Sequence, residues 1–371
     1  MAGFPILRSR RVRGTPYSER VEAAGLGGYT VYNHMLVATA FRSMEEDCAH
    51  LKQHVQLWDV ACERQLEITG PDARRLAVLM SARDLSKAEP GRCYYTPITD
   101  ANGGMLNDPV ALCLGEDRFW FSLADSDLLF WALGLAEGLG LNVRICEPDV
   151  SPLGIQGPKS DELASRVFGD GVRALKFFRF GYFPFRGREL LVARSGWSHQ
   201  GGFEVYLDDG SLGLELWDAL WEAGRDLEVR AGCPNLIERI ESGLLSYGND
   251  MTREDTPLEC GLERFCGLDS DREFVGKSAL LRQREEGVKR RLTGLRVDAR
   301  IASISATLPC RFGGAAAGYV TSAAYSPDFG ATLAFAMLDI AAAAPGAEVE
   351  VEHDGVVSEA LVCAIPFEKQ S

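Results

Sequence analysis

RQLEITGPDARRLAVLM, residues 64–80, reads as a strand, a tight turn at Gly70-Pro71 and a helix that begins where the turn ends. The same order returns in DVSPLGIQGPKSDELASRVFG, residues 149–169, with Gly157-Pro158 at the turn. A strand–Gly-Pro–helix unit that occurs twice predicts two related α+β lobes rather than a chain of alternating βαβ units. Neither turn carries the Gly-x-Gly-x-x-Gly or Gly-x-x-x-x-Gly-Lys pattern that cradles phosphates, so dinucleotide and nucleoside triphosphate binding have no support.

Working outward, residues 92–99 and 109–123 are two strand-like runs joined by the loop DANGGMLND (100–108), the second continuing through RFWFS (118–122). A helix is expected over 125–141. Residues 44–57 read as another, with His50 and His54 one turn apart. That spacing suits a metal, but no third ligand stands nearby, so an ordinary polar helix face is the reading and no metal is expected. Residues 213–225, with Trp217 and Trp221, and 235–247 are read as further helices with one apolar face. The first sixteen residues form an Arg-rich arm ending near Pro16. Beyond about residue 285 the texture changes to short β-rich runs between Gly and Pro turns, which predicts a small antiparallel β-barrel. The expected division is therefore 1–285 and 286–371, with two interleaved α+β lobes in the first part.

With 371 residues the chain has room for two or three domains. Lys plus Arg is 39 against 53 for Asp plus Glu, a formal charge of −14, which argues against nucleic acid or an anionic membrane as partner. Ten cysteines form no CxxC pair, so they read as free thiols of a cytoplasmic protein. No apolar run is long enough to span a bilayer.

The richest chemistry lies in SGWSHQGGFEVY, residues 195–206. Gly196, Gly201 and Gly202 let the backbone turn tightly or approach a ligand. Phe203-Glu204-Val205-Tyr206 alternates as a strand, which places Glu204 and Tyr206 on one face. A carboxylate beside an aromatic ring suits a flat heterocycle bearing N–H donors, because it accepts two parallel hydrogen bonds while the ring stacks. A solvated hairpin glutamate is the plainer alternative.

Taken in order, these pieces resemble the folate-dependent aminomethyltransferase family, the T proteins of glycine cleavage. The resemblance covers nearly the whole chain. It rests on Gly70-Pro71-Asp72, GGMLND (103–108), the loop ending at Glu204, RIESGLLSYGNDMTREDTPLECGL (239–262), FVGKSAL (274–280), GYVTSAAYSP (318–327) and Pro366-Phe367. It implies an α+β, three-lobed folate-binding fold with a C-terminal β-barrel domain. Within the family, GYTVYNHMLVAT (28–39), HVQLWDVACERQ (54–65), FSLADSDLLFW (121–131) and RAGCPNLIERIE (230–241) look like the tetrahydrofolate-dependent dimethylsulfoniopropionate demethylases. Amine-handling members carry Asp-Asp where this chain has Asn107-Asp108 and Asn-Ala where it has Ala124-Asp125. They also place an Arg for the folate tail near Asn235-Leu236, so here something else must hold that tail.

Carried over residue by residue, the resemblance makes Glu204 the pterin-binding carboxylate and Asp108 the catalytic aspartate beside the reactive folate nitrogen. Tyr95, Phe178 and Tyr206 then supply flat surface for tetrahydrofolate, the methyl-accepting co-substrate. Tyr32, Ser122 and Trp197 are the expected contacts of a small methyl donor, Ser122 as a donor to its carboxylate and Trp197 as a face for its sulfonium. A nearby Arg or a backbone N–H is the alternative for the carboxylate. A homodimer is compatible with this reading.

A positively charged sulfonium is a good leaving group, so in-line transfer needs no metal and no covalent intermediate. Alignment of two reactants is worth about 7–11 kcal/mol in favourable cases. Two alternatives follow from the same resemblance. One is the same chemistry on a betaine, methylamine or aryl methyl ether. The other is a folate-binding accessory protein without turnover, whose Lys-Gly-Cys-aromatic-x-Gly-Gln-Glu motif is absent around Gly232-Cys233-Pro234-Asn235.

Overall fold

Gly70 and Gly157 show why the repeated unit folds as it does. Their φ angles are +120° and +119°, and a side chain on either would collide with a carbonyl, that of Asn142 or that of His54. In both, the glycine carbonyl then accepts the N–H three residues on, from Ala73 or Ser160, and a helix starts. Those helices are Ala73–Met80 and Ser160–Phe168. The computed structural model describes residues 9–368.

Each repeat anchors one sheet. The first is five-stranded and antiparallel, in the order Arg144–Cys146, Gln65–Thr69, Arg118–Ser122, Val110–Gly115, Arg92–Tyr95. The second has six strands: Phe180–Phe185, Arg188–Ala193, Gly202–Leu207, Ser151–Gln156, Gln56–Asp59 and a parallel edge, Arg230–Gly232. Strand alternation divides each sheet into two faces. Leu66, Ile68, Phe119 and Phe121 face the helices Ala73–Met80 and Leu128–Gly138. Phe203, Val205 and Leu207 face the helices Ser160–Phe168 and Gly213–Ala223. The opposite faces meet, with Cys93, Leu112 and Trp120 of one sheet packed on Leu191, Ala193 and Tyr206 of the other. Glu204, in register with this inner face, therefore points between the sheets.

The third unit is a closed six-stranded barrel built from strands between Arg290 and Cys363. Its outer residues Leu333, Phe335 and Met337 pack on Ile237, Ile240 and Met251 of the N-terminal region. Arg239 and Asp250 form a buried ion pair of 2.8 Å beneath this contact, and Ser322 of the barrel bonds to both.

Several local expectations need correcting. The helix expected over 44–57 ends at Leu51, because 56–59 is drawn into the middle of the six-stranded sheet. His50 and His54 are stacked, ring centroids 4.8 Å apart; His50 Nε2 meets the Glu228 carbonyl and His54 Nδ1 meets Lys159. Among the described residues no group of three His, Cys, Asp or Glu side chains is placed to hold a metal. The run 109–123 is a hairpin of two strands, and the expected loop 100–108 contains the strand Met105–Asn107. The helix expected over 125–141 is Leu128–Gly138.

The helix expected over 235–247 spans only Leu236–Glu241, capped by the Asn235 side chain and ended at Gly243, φ +72°. Its Glu238, Arg239 and Glu241 are all buried, so its polar residues are docking contacts rather than a solvated face. Of the N-terminal arm, residues 1–8 lie outside the described residues. Beyond them Arg13 donates its N–H to the His34 carbonyl. Among the described residues no helix is long and apolar enough to cross a membrane.

Candidate functional site

A cavity of about 420 Å³ opens where the inner faces of the two sheets part. That volume lies in the range of sites for small ligands and cofactors. All eight side chains expected from sequence line it: Tyr32, Tyr95, Asp108, Ser122, Phe178, Trp197, Glu204 and Tyr206. The hairpin Gly28–Tyr32 with Met35–Ala40 closes one side, and the segment around Pro234, Arg239 and Tyr247 closes another.

Glu204 is 7% exposed, and Ser195 Oγ and Tyr206 Oη both donate to its Oε2, at 2.5 and 3.4 Å. Its Oε1 receives no hydrogen bond from the described residues, so one acceptor oxygen is free for a ligand. Burial pushes the carboxyl up, and the two hydroxyl donors oppose that rise. Packing accounts for the glycines beside it. The Gln156 amide runs between Gly196 and Gly202, bonding to the carbonyls of Ser195 and Phe203. A Cβ on either glycine would lie 2.2–2.5 Å from that amide, and both have positive φ, +151° and +158°. Gly202→Ala is accordingly expected to cost about 1–3 kcal/mol of stability, measurable as a lower denaturant midpoint. An unchanged midpoint would mean that the Gln156 clamp yields freely.

Asp108 receives the Tyr95 hydroxyl on Oδ2 at 3.0 Å, while Oδ1 is buried without a partner. Burial pushes its carboxyl up to about 7, the Tyr95 hydrogen bond acting in the opposite sense. Tyr95 packs edge-on against Phe265. Phe178, with φ +60°, lies against Phe177. Trp197 has the Arg239 guanidinium 5.8 Å from its ring, and Arg239 is the one cationic side chain in the cavity wall among the described residues.

Two expected roles change in the structure. Tyr206 is 1% exposed with its ring against Trp120, so it offers the cavity its hydroxyl edge and no stacking face. Ser122 is turned to protein partners, accepting from Gln65 Nε2 at 2.9 Å and donating to Glu63 Oε2 at 3.4 Å. A substrate carboxylate beside Ser122 would meet the Glu63 carboxyl and no cation.

Residues not singled out from sequence complete the site. Glu63 follows the strand Gln56–Asp59 and lines the cavity near Glu204 and Asp108; burial and those charges push its carboxyl up. It lay within a motif already noted, HVQLWDVACERQ, but nothing in its spacing marked it. Ser195, Gln156 and Arg239 act through contacts that only the folded chain creates. Two of the departures from the amine-handling pattern, at Asn107 and at Ala124-Asp125, meet in the structure. Asn107 exchanges hydrogen bonds with the backbone of Ala124, and Asp125 accepts the Asn33 N–H, fixing the hairpin that carries Tyr32.

The GCVT N-terminal domain profile matches residues 17–270, and the glycine cleavage T-protein C-terminal barrel domain matches residues 290–369. The chain belongs to the glycine cleavage T-protein family. It is 56% identical over 347 residues to the dimethylsulfoniopropionate demethylase DmdA of Ruegeria pomeroyi, covering 94% of this chain and 95% of that protein. An aminomethyltransferase of Moorella thermoacetica is 29% identical, covering 96% and 98%. The solved T protein of Bartonella henselae superposes with a TM-score of 0.87 at 22% identity over 96% of this chain and 98% of its own, which establishes the three-part T-protein fold.

Proposed function

We propose that this protein demethylates dimethylsulfoniopropionate, passing one methyl group to tetrahydrofolate and leaving methylthiopropionate and 5-methyl-tetrahydrofolate. The observation that carries the reading is an acidic, aromatic cavity in a chain 56% identical to a dimethylsulfoniopropionate demethylase over nearly its whole length. The cavity suits a pterin. Glu204 Oε1, which takes no donor from the described residues, is an acceptor for ring N–H groups; Asp108 lines the same cavity, and Tyr95, Phe178 and Trp197 provide flat walls.

Tetrahydrofolate supplies the nucleophilic N-5 nitrogen. In the transfer the methyl–sulfur bond breaks with its electron pair going to sulfur, a nitrogen–carbon bond forms, and the N-5 proton is released. Glu204 holds the pterin edge, and Asp108 receives the proton. Arg239 is already ion-paired with Asp250, yet it is the one cationic side chain in the cavity wall among the described residues, and its end of the cavity is the least repulsive for the donor's carboxylate. Proximity of aligned reactants supplies most of the rate. The ten cysteines are all free thiols, which suits a reducing cytoplasm.

Incubation of the purified protein with tetrahydrofolate and a panel of donors tests the reading. Methylthiopropionate should form from the sulfonium compound, with no turnover of a betaine, methylamine or aryl methyl ether. Turnover of one of those alone would keep the class and reject the substrate.

Asp108 also sets a pH dependence. A carboxyl raised to about 7 is protonated below that pH and cannot accept a proton there. The rate of a single turnover is expected to rise through about pH 7 in the wild type. In Asp108→Asn it should be lower and flat across this window. A profile of unchanged shape in the variant would remove Asp108 from the proton path.

A further inference from the structure

We infer that Glu63 selects a methyl donor with a cationic centre, its carboxylate facing that centre so that a molecule of the same shape without the positive charge binds poorly. The inference rests on the proposed function and assigns a residue to one part of it. Glu63 lines the cavity, yet its side chain receives a single weak hydrogen bond, from Ser122 at 3.4 Å. The charged groups that act on it are Glu204, from the strand Gly202–Leu207, and Asp108, both acidic. Tyr32, Tyr206 and Cys62 also face it, and none of them brings positive charge. The adjacent Arg64 is turned away, held by Asp127 and Glu147. An ionised carboxylate in such a place is unfavourable until a cation arrives.

The two glutamates differ in a way that matches two ligands. Glu204 is oriented by two hydroxyl donors and keeps an acceptor for N–H groups. A sulfonium has no N–H or O–H to offer, so only charge and polarisable surface can recognise it. Glu63, with few hydrogen bonds and Tyr32 beside it, has that character. Burial and the acidic charge of Glu204 push the Glu63 carboxyl up, so in the empty site the Glu63–Glu204 pair holds a proton that a nearby cation disfavours. Donor binding then releases that proton, and donor affinity rises with pH.

The test compares wild type with Glu63→Gln, using dimethylsulfoniopropionate and its carbon isostere 4-methylpentanoate, which keeps the carboxylate but is uncharged where the sulfur stands, as competing ligands. Wild type should prefer the sulfonium by about 30-fold or more, and the variant should bring the two within a few-fold. Tetrahydrofolate affinity should stay within about twofold, as expected for a residue that acts on the donor alone. Calorimetry in buffers of different ionisation enthalpy should show protons released on donor binding by wild type and fewer by the variant. A variant that binds both ligands more weakly but keeps the preference would show a merely structural role and overturn the inference. So would loss of tetrahydrofolate affinity with the preference intact. Wild-type protein that does not turn over the sulfonium would instead overturn the functional reading itself, and this inference with it.

Discussion

Glu204→Gln is expected to weaken tetrahydrofolate binding by about 1.5–3 kcal/mol, roughly 10- to 150-fold in Kd. The reason lies in the geometry of its two oxygens. Ser195 and Tyr206 both donate to Oε2, so the amide oxygen of a glutamine will turn toward them. Its NH2 group then faces the cavity, where it meets the N–H groups of the pterin donor to donor. Folding should not suffer, since the variant removes a buried carboxyl whose ionisation burial opposes. Equilibrium titration with tetrahydrofolate, alongside a thermal melt, measures both effects. Wild-type affinity in a well-folded variant would place the pterin elsewhere in the cavity.

Asp250→Ala is expected to cost about 3–5 kcal/mol of stability, the range for removing one member of a buried ion pair. Arg239 and Asp250 have side chains 6% and 0% exposed. Asp250 also accepts from the Ser246 N–H and from the hydroxyls of Thr321 and Ser322 in the barrel. The substitution leaves the Arg239 guanidinium buried without its counter-charge and loosens the barrel from the rest of the chain. The paired change Arg239→Met with Asp250→Leu should be far closer to wild type, because it leaves no unpaired charge. Urea denaturation of the three proteins gives the comparison. A single variant as stable as wild type would show that water reaches the pair.

The units of the fold were readable because each rests on local chemistry. Gly70-Pro71 and Gly157-Pro158 announce turns that no other residue fits, and the switch to β-rich texture near residue 285 precedes a barrel whose first strand is Arg290–Val297. Alternation placed Glu204 and Tyr206 on one face, and the structure keeps them there. The two helix overruns have different causes, one tertiary and one local. His54 and the run 242–247 carry helical spacing, but pairing of Gln56–Asp59 within a sheet and the positive φ of Gly243 end those helices early. Tertiary pairing overrides a local preference worth only tenths of a kcal/mol per residue.

Turn chemistry and strand period are local properties, so the amino-acid sequence alone determined the two Gly-Pro turns, the strand that puts Glu204 and Tyr206 on one face and the C-terminal barrel; the other cavity side chains were named through the family resemblance. Which way those side chains serve was decided by tertiary structure. Ser122 is turned to Gln65 and Glu63, Tyr206 has its ring covered by Trp120, and Glu63 enters the site with no signal in its own neighbourhood. Charge and hydrogen-bond capacity are written in a residue's type. Which partner satisfies them, and which carboxylate is left without one, depends on strands far apart in the chain being laid face to face.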